Sequence, residues 1–144
     1  MLCAPSQLRL HHVGVVLHDR RQADDLLALL GLSVTRRQFV ERYRAECLFV
    51  DAGPVQVELI LPDGGPLAGF NRGVGGLHHL AFEVADLEQV AARLAAAGLR
   101  LLEDHPVSAG ALRINFLPPE YTRGLVIEFV EPMPARAAAA GDEP

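Results

Sequence analysis

The sequence lacks the features of secreted, membrane-spanning and nucleic-acid-binding proteins. Only two cysteines, Cys3 and Cys47, are present, and the first residues contain no apolar signal core, so a disulfide framework is not expected. No apolar run approaches the roughly 20 residues that a membrane helix requires. The net charge of -5 comes without a long basic run, which argues against a nucleic-acid surface. We therefore expect a cytoplasmic protein with no membrane or nucleic-acid partner.

The composition is that of one ordinary globular domain. The chain has 144 residues, half of them apolar and about a fifth charged, which is enough to bury a core. We expect this single domain to cover residues 1–133. The remaining segment, residues 134–144, is alanine-rich and unpatterned, and we expect it to be flexible.

The chain contains an internal repeat. With a shift of 67 residues, Leu10-His11-His12 falls on Leu77-His78-His79, and nine of the 23 positions from Leu10 to Leu32 are identical in the copy. With a shift of 70 residues, VELILP at 57–62 meets IEFVEP at 127–132. Two shifts that differ by three residues indicate a short loop insertion in one copy. The repeat therefore predicts two copies of one structural module.

Each copy has the pattern strand, helix, strand, strand, strand. Asp19 and Asp86 suit the N-caps of the two helices, and Gly31 and Gly98 suit their C-terminal ends. The predicted later strands cover 33–40, 44–51 and 55–61 in the first copy and 99–103, 111–117 and 124–131 in the second. The modules extend over about 8–62 and 77–132, and the Gly-rich segment 63–76 links them.

Strand alternation separates the two members of each histidine pair. His12 shares a strand face with Gly14, and His79 shares one with Ala81, so a small residue leaves space beside each imidazole. His11 and His78 point to the opposite, apolar face or lie at its edge. His12 and His79 are therefore the candidate functional histidines.

The same alternation isolates two interior carboxylates, Glu58 and Glu128, on strands that are otherwise apolar. A buried carboxylate is unfavourable unless it is paired or binds a metal. A single strand histidine is more often a packing residue, and a single interior glutamate more often pairs with arginine. The recurrence of both types at matched positions favours a site for a borderline divalent ion, with two octahedral positions left for substrate or water.

At these residues the sequence resembles the vicinal oxygen chelate superfamily, and within it most closely the methylmalonyl-CoA epimerases. The segments that carry the resemblance are HHVGVVLHD, VELILP, GLHHLAFEVADLE, INFLPPEYTRG and VIEFVE. The resemblance implies an α+β fold in which two tandem βαβββ modules form a curved mixed sheet cup around one divalent metal ion, Co, Mn, Ni or Zn. By motif match, the ligands would be His12, Glu58, His79 and Glu128. It also implies a homodimer.

The implied activity is movement of a proton next to a carbonyl group through a metal-stabilised enolate. Glu128 would act as ligand and as acid/base. The epimerases usually carry a Glu-Gln-Gly-Val segment before the third strand, which this chain lacks. Counting back from Gly53 places Arg42 at that glutamate, which leaves Glu41, one residue away, as a candidate for the second acid/base. A solvated strand edge is the competing interpretation of Glu41.

Several functions are compatible with these residues. The first is an epimerase or isomerase that acts on an acyl-CoA or another small carbonyl compound. A lactoylglutathione lyase-like isomerase or thiol transferase is a second. Ring-cleaving dioxygenation fits less well, because the chain is short and carries a second glutamate. A non-catalytic protein that binds a small molecule such as an antibiotic is an alternative of another class, although it would not need four metal ligands.

Overall fold

The computed structural model describes residues 8–134 and has eight strands and two α-helices in that range. The first module comprises β1 (Arg9–Val16), α1 (Arg20–Leu30), β2 (Val34–Val40), β3 (Ala45–Asp51) and β4 (Gln56–Pro62). The second comprises β5 (Gly76–Glu83), α2 (Leu87–Ala96), β6 (Val107–Ala109), β7 (Leu112–Leu117) and β8 (Val126–Pro132). The predicted α+β class and the twofold βαβββ order are confirmed. Except for Pro134, the alanine-rich tail lies outside the described residues.

The strands form a mixed sheet in the order β2-β3-β4-β1-β5-β8-β7-β6. Contacts divide the described chain into a first unit, residues 12–80, and a second unit, residues 8–11 and 81–134. Within residues 8–134, no helix is long and apolar enough to cross a membrane.

In the first unit, β3 pairs antiparallel with both β2 and β4, whereas β4 pairs parallel with β1. One face of these strands packs against α1 because alternate residues are apolar. The buried members of this core cluster are Leu17, Ala23, Leu48, Val50, Leu59 and Leu61. Residues that alternate with them, Phe49 and Glu58 among them, therefore lie on the other face.

The second unit repeats the register of strands β3 and β4 in its strands β7 and β8. Phe49 faces Glu58 across β3 and β4, and Phe116 faces Glu128 across β7 and β8. These pairs are related by the same shifts, 67 and 70, that relate the two copies in the sequence. The three-residue insertion therefore lies in the connection between β7 and β8, residues 118–125, where a short 3-10 turn accommodates it.

Both helices begin at the predicted caps. The Asp19 carboxylate accepts a hydrogen bond from the backbone N–H of Gln22 at 2.9 Å. The Asp86 carboxylate accepts bonds from Glu88 and Gln89 at 2.9 and 3.1 Å. Gly31 ends α1 with a φ of 66°, a left-handed conformation that favours glycine.

The predicted strand at 99–103 is wrong, and the edge strand of the second module is instead β6 (Val107–Ala109). Leu99 and Leu101 do pack on the second core, so the apolar pattern was a packing signal. The side chain of Asn115 binds both backbone groups of Glu103, at 3.0 and 2.9 Å, in place of a strand partner. A side chain that satisfies backbone groups in this way competes with a regular ladder.

Candidate metal site

Three side chains of metal-ligating type converge inside the first unit. His12 Nε2 lies 3.1 Å from His79 Nε2 and 3.3 Å from a carboxylate oxygen of Glu58, and the second Glu58 oxygen lies 4.0 Å from His79 Nε2. All three residues are buried, at 1%, 2% and 6% exposure for His12, His79 and Glu58. The structure thus brings these three residues of the predicted ligand set together.

The spacing of these atoms fits a shared divalent ion. Nitrogen and oxygen ligands about 2.1 Å from one ion lie about 3.0 to 3.4 Å apart in octahedral or tetrahedral geometry. Two of the three separations, at 3.1 and 3.3 Å, match that range, and the third, at 4.0 Å, is longer. Two imidazoles and a carboxylate also form a donor set suited to borderline ions. The residues present therefore fit a bound metal.

Gly14 makes room for the His79 imidazole. A Cβ atom added at Gly14 would lie 2.1 Å from His79 Cε1 and 2.5 Å from both ring nitrogens. Gly14 is also the register partner of Glu58 on the neighbouring strand. The space that the sequence predicts beside a candidate histidine is therefore filled by the other candidate histidine.

His78 contacts the far side of the His79 ring. The Nδ1 atoms of the two rings are 2.8 Å apart, and the His78 ring packs edge-on against Phe70 at 4.7 Å. In the tautomer in which His79 carries its proton on Nδ1, it donates this hydrogen bond to His78 Nδ1 and presents the Nε2 lone pair toward His12 and Glu58, as metal-binding histidines do. Strand alternation alone predicts no role for His78 in the site, because it does not take contacts between the side chains of adjacent residues into account.

Phe49 forms one wall of the site. Its ring packs edge-on against the His12 ring, with centroids 5.3 Å apart, and it is only 1% exposed. The register places Phe49 directly opposite Glu58. An apolar wall beside a charged cluster keeps water away and strengthens electrostatic interactions within it.

Glu128, the fourth predicted ligand, lies on β8 in the second unit. It is 3% exposed, and it faces Phe116 as Glu58 faces Phe49. A carboxylate buried this deeply requires compensating partners. The two glutamates therefore occupy equivalent positions in the two copies.

Glu41 lies outside the strands. It begins an exposed 3-10 turn, Glu41–Tyr43, between β2 and β3. The predicted strand at 33–40 is confirmed as β2, which ends at Val40, directly before Glu41. Glu46 is on the face away from Phe49, where it pairs with Arg20 and Arg37.

Two curated proteins resemble most of the chain. The uncharacterized protein YqjC of Bacillus subtilis is 31% identical over 129 residues, which cover 86% of this chain and 92% of that protein. The ethylmalonyl-CoA/methylmalonyl-CoA epimerase of Cereibacter sphaeroides is 31% identical over 127 residues, which cover 83% of this chain and 95% of the epimerase. Both similarities span nearly the full length of the relatives.

A solved structure and a family model agree with these relatives. The crystal structure of methylmalonyl-CoA epimerase from Mycobacterium tuberculosis superposes with a TM-score of 0.81 at 30% identity, covering 90% of this chain and 91% of that one. The family model of the glyoxalase/bleomycin resistance protein/dioxygenase superfamily matches residues 11–117. That range contains His12, Glu58 and His79.

Proposed function

This chain belongs to the glyoxalase/bleomycin resistance protein/dioxygenase superfamily, and on that basis we propose that it is a divalent-metal-dependent epimerase. Its substrate would be an acyl-CoA of the methylmalonyl-CoA type, with a proton moved at the carbon next to the thioester carbonyl. The observation that carries this proposal is the buried convergence of His12, Glu58 and His79. The epimerase relatives supply the reaction class.

We propose Glu128 as the fourth ligand. Its support is its burial and its register position opposite Phe116, which is equivalent to the position of Glu58 opposite Phe49. The bound ion would be Co, Mn, Ni or Zn, because all four accept mixed imidazole and carboxylate ligands.

The chain's own residues would divide the work as follows. When bound, a divalent ion would supply a Lewis acid for the oxygen of the thioester carbonyl. His12, His79 and Glu58 hold and orient the site, and the ring of Phe49 excludes water. Glu128 removes or returns the proton at the reacting carbon. Glu41 is proposed as the second acid/base on the opposite face, because inversion requires protonation from the side that did not lose the proton.

The other sequence-derived functions have weaker support. A lactoylglutathione lyase-like isomerase or thiol transferase would use the same ligand types, but the relatives with assigned activities described above are epimerases. A binding module without a metal would have no need to bury two imidazoles against a carboxylate. The homodimer implied by the family resemblance stays a prediction.

Hydrogen exchange tests the function. Metal-loaded protein is expected to incorporate deuterium from heavy water at the C2 position of methylmalonyl-CoA, measured by proton NMR. Glu128→Gln should lower the exchange rate at least a hundredfold, because an amide is not a base. Glu58→Gln is the matched control: its amide oxygen can still bind the metal, so exchange should stay within about tenfold. Absence of exchange by the wild-type protein would exclude this substrate.

Metal analysis tests the site separately from activity. Purified protein is expected to retain about one divalent ion per chain. His12→Ala should lower that content sharply, because the alanine side chain has no atom that can bind the ion in place of the imidazole nitrogen. Glu128→Gln should lower it less. Unchanged metal content in both variants would contradict the proposed ligand set.

A further inference from the structure

Arg36 lies beside the candidate site and, among the described residues, has no ion-pair partner. It lies on β2 opposite Phe49, and its guanidinium carbon is 4.1 Å from the centroid of the Phe49 ring. The Phe49 ring in turn contacts the His12 ring, with 5.3 Å between the ring centroids. One aromatic ring therefore separates the guanidinium from a candidate metal ligand.

Stacking leaves the hydrogen-bonding capacity of Arg36 available. A guanidinium that lies over an aromatic face uses its own face for the contact, whereas its five N–H donors point outward in the plane. Among residues 8–134, no carboxylate forms an ion pair with Arg36. The neighbouring Arg37, on the other face of β2, has Glu46 at 3.7 Å. The two arginines thus differ in whether an internal partner neutralises them.

Gln38, two residues along the same face of β2, also has unused capacity. Its Oε1 atom is buried and, within the described part of the chain, accepts no hydrogen bond. Buried polar atoms in folded proteins usually have a hydrogen-bond partner. The face of β2 that carries Arg36 therefore presents a guanidinium without an ion pair and a Gln38 oxygen without a hydrogen bond, among the described residues.

We propose that the Arg36 guanidinium binds the free carboxylate of a malonyl-type acyl group, an inference that rests on the proposed function. A planar guanidinium pairs with a carboxylate through two parallel hydrogen bonds, which gives direction as well as attraction. In a malonyl thioester, that carboxylate is attached to the reacting carbon, so it must lie close to the metal ligands. The phosphates of coenzyme A lie at the far end of the pantetheine arm.

The assignment makes Arg36 a specificity-determining residue. Acyl groups that carry the second carboxylate would be retained, and neutral acyl groups such as acetyl or propionyl would bind more weakly. Glu58 and Glu128 cannot supply this selectivity, because their negative charge opposes an anionic ligand until a metal neutralises it.

Binding measurements test the proposal without requiring turnover. The dissociation constants of malonyl-CoA and acetyl-CoA are measured by calorimetry in buffer containing Co²⁺, for the wild type, Arg36→Gln and Arg37→Gln. The ratio of the two constants reports the carboxylate alone, because both ligands share coenzyme A. It is also independent of the fraction of folded protein. We expect Arg36→Gln to reduce the preference for malonyl-CoA by about tenfold to a hundredfold, the range for a charged hydrogen bond, and Arg37→Gln to leave it unchanged.

Two outcomes would overturn the proposal: an unchanged preference in Arg36→Gln, whether or not both ligands are weakened equally, or no preference in the wild type. Equal weakening would assign Arg36 to the phosphates instead. If the wild type prefers malonyl-CoA but catalyses no hydrogen exchange, and Arg36→Gln removes that preference, the carboxylate recognition stands and the proposed reaction fails.

Discussion

A single glycine determines whether His79 can reach the candidate metal site. Gly14 contributes no side chain of its own, yet a Cβ at this position would overlap the His79 ring. The ring cannot easily move, because His79 is buried and its other nitrogen contacts His78. The predictions at this scale therefore concern the residues that hold the imidazole in place.

Gly14→Ala is expected to displace His79 and to weaken metal binding at least tenfold. Overpacking at a rigid, buried position should also lower the free energy of unfolding by about 1–3 kcal/mol. Gly69→Ala is the control, since a Cβ at Gly69 meets no atom within 4 Å and the backbone is in the right-handed region. Denaturant unfolding and a metal titration measure the two effects. Equal behaviour of both variants would contradict the steric account.

His78→Ala tests the orienting contact. Loss of an outer partner of a metal-binding histidine typically lowers metal affinity about 10- to 100-fold. His18→Ala serves as the comparison, because that imidazole is exposed and 70% of its side chain is accessible. Affinity is read from competition with a metal-binding dye. A variant that binds metal as well as the wild type would leave His78 only a packing role.

Among the secondary-structure elements, the stability of α1 depends on its N-cap residue, Asp19, more than on the composition of its first turn. The helix has no acidic residue in its first turn, so the Asp19 carboxylate alone places negative charge at the N-terminus. The hydrogen bond from the Gln22 backbone, with a smaller contribution from His18, holds the pKa of Asp19 below its ordinary value of 3.8.

The lowered pKa of Asp19 predicts a pH-dependent cap. A carboxyl group with a pKa that is lower in the folded state stabilises the protein above pH 3.8, and this contribution disappears as the pH falls through the folded-state pKa. Asp19→Ala is therefore expected to shift urea unfolding to lower concentration at pH 7. The difference from the wild type should shrink as the pH falls below 3.8. A shift of constant size across this range would argue against the charged cap.

Local signals in the sequence predict most elements but not β6. Asp19, Asp86 and Gly31 mark helix ends because capping is a short-range interaction. The edge of the second module is different, since Leu99 and Leu101 contribute to a core while Asn115, far along the chain, binds the backbone of Glu103. Local periodicity contains no information about that long-range hydrogen bond.

For the whole molecule, the repeat makes much of the site predictable. The shifts of 67 and 70 pair His12 with His79 and Glu58 with Glu128, and alternation selects the buried members of the histidine pairs. The contacts of His78 and Arg36 could not be predicted, because they depend on side-chain conformation and on strand register. The conformation around Glu41 also required the structure, since a predicted strand end at residue 40 does not show that a 3-10 turn follows.

Metal binding should stabilise the entire protein. An ion that binds only the folded state adds about 2.7 kcal/mol at a hundred times its dissociation constant, which corresponds to a rise in Tm of about 5 to 15 °C. We expect Co²⁺ to produce this rise in the wild type and not in the double variant His12→Ala, His79→Ala. A double variant of the exposed histidines, His18→Ala and His105→Ala, should respond as the wild type does. Scanning calorimetry measures all three.

The shared register of the two copies has a consequence for how this sequence can evolve. The connection between β7 and β8 is three residues longer than its counterpart in the first copy, yet Glu128 still faces Phe116 as Glu58 faces Phe49. A length change in the connecting loop thus leaves the carboxylate in place, whereas a single residue inserted inside a strand would turn it to the wrong face. Descendants of this duplication should therefore vary in loop length while the spacing within each strand stays constant.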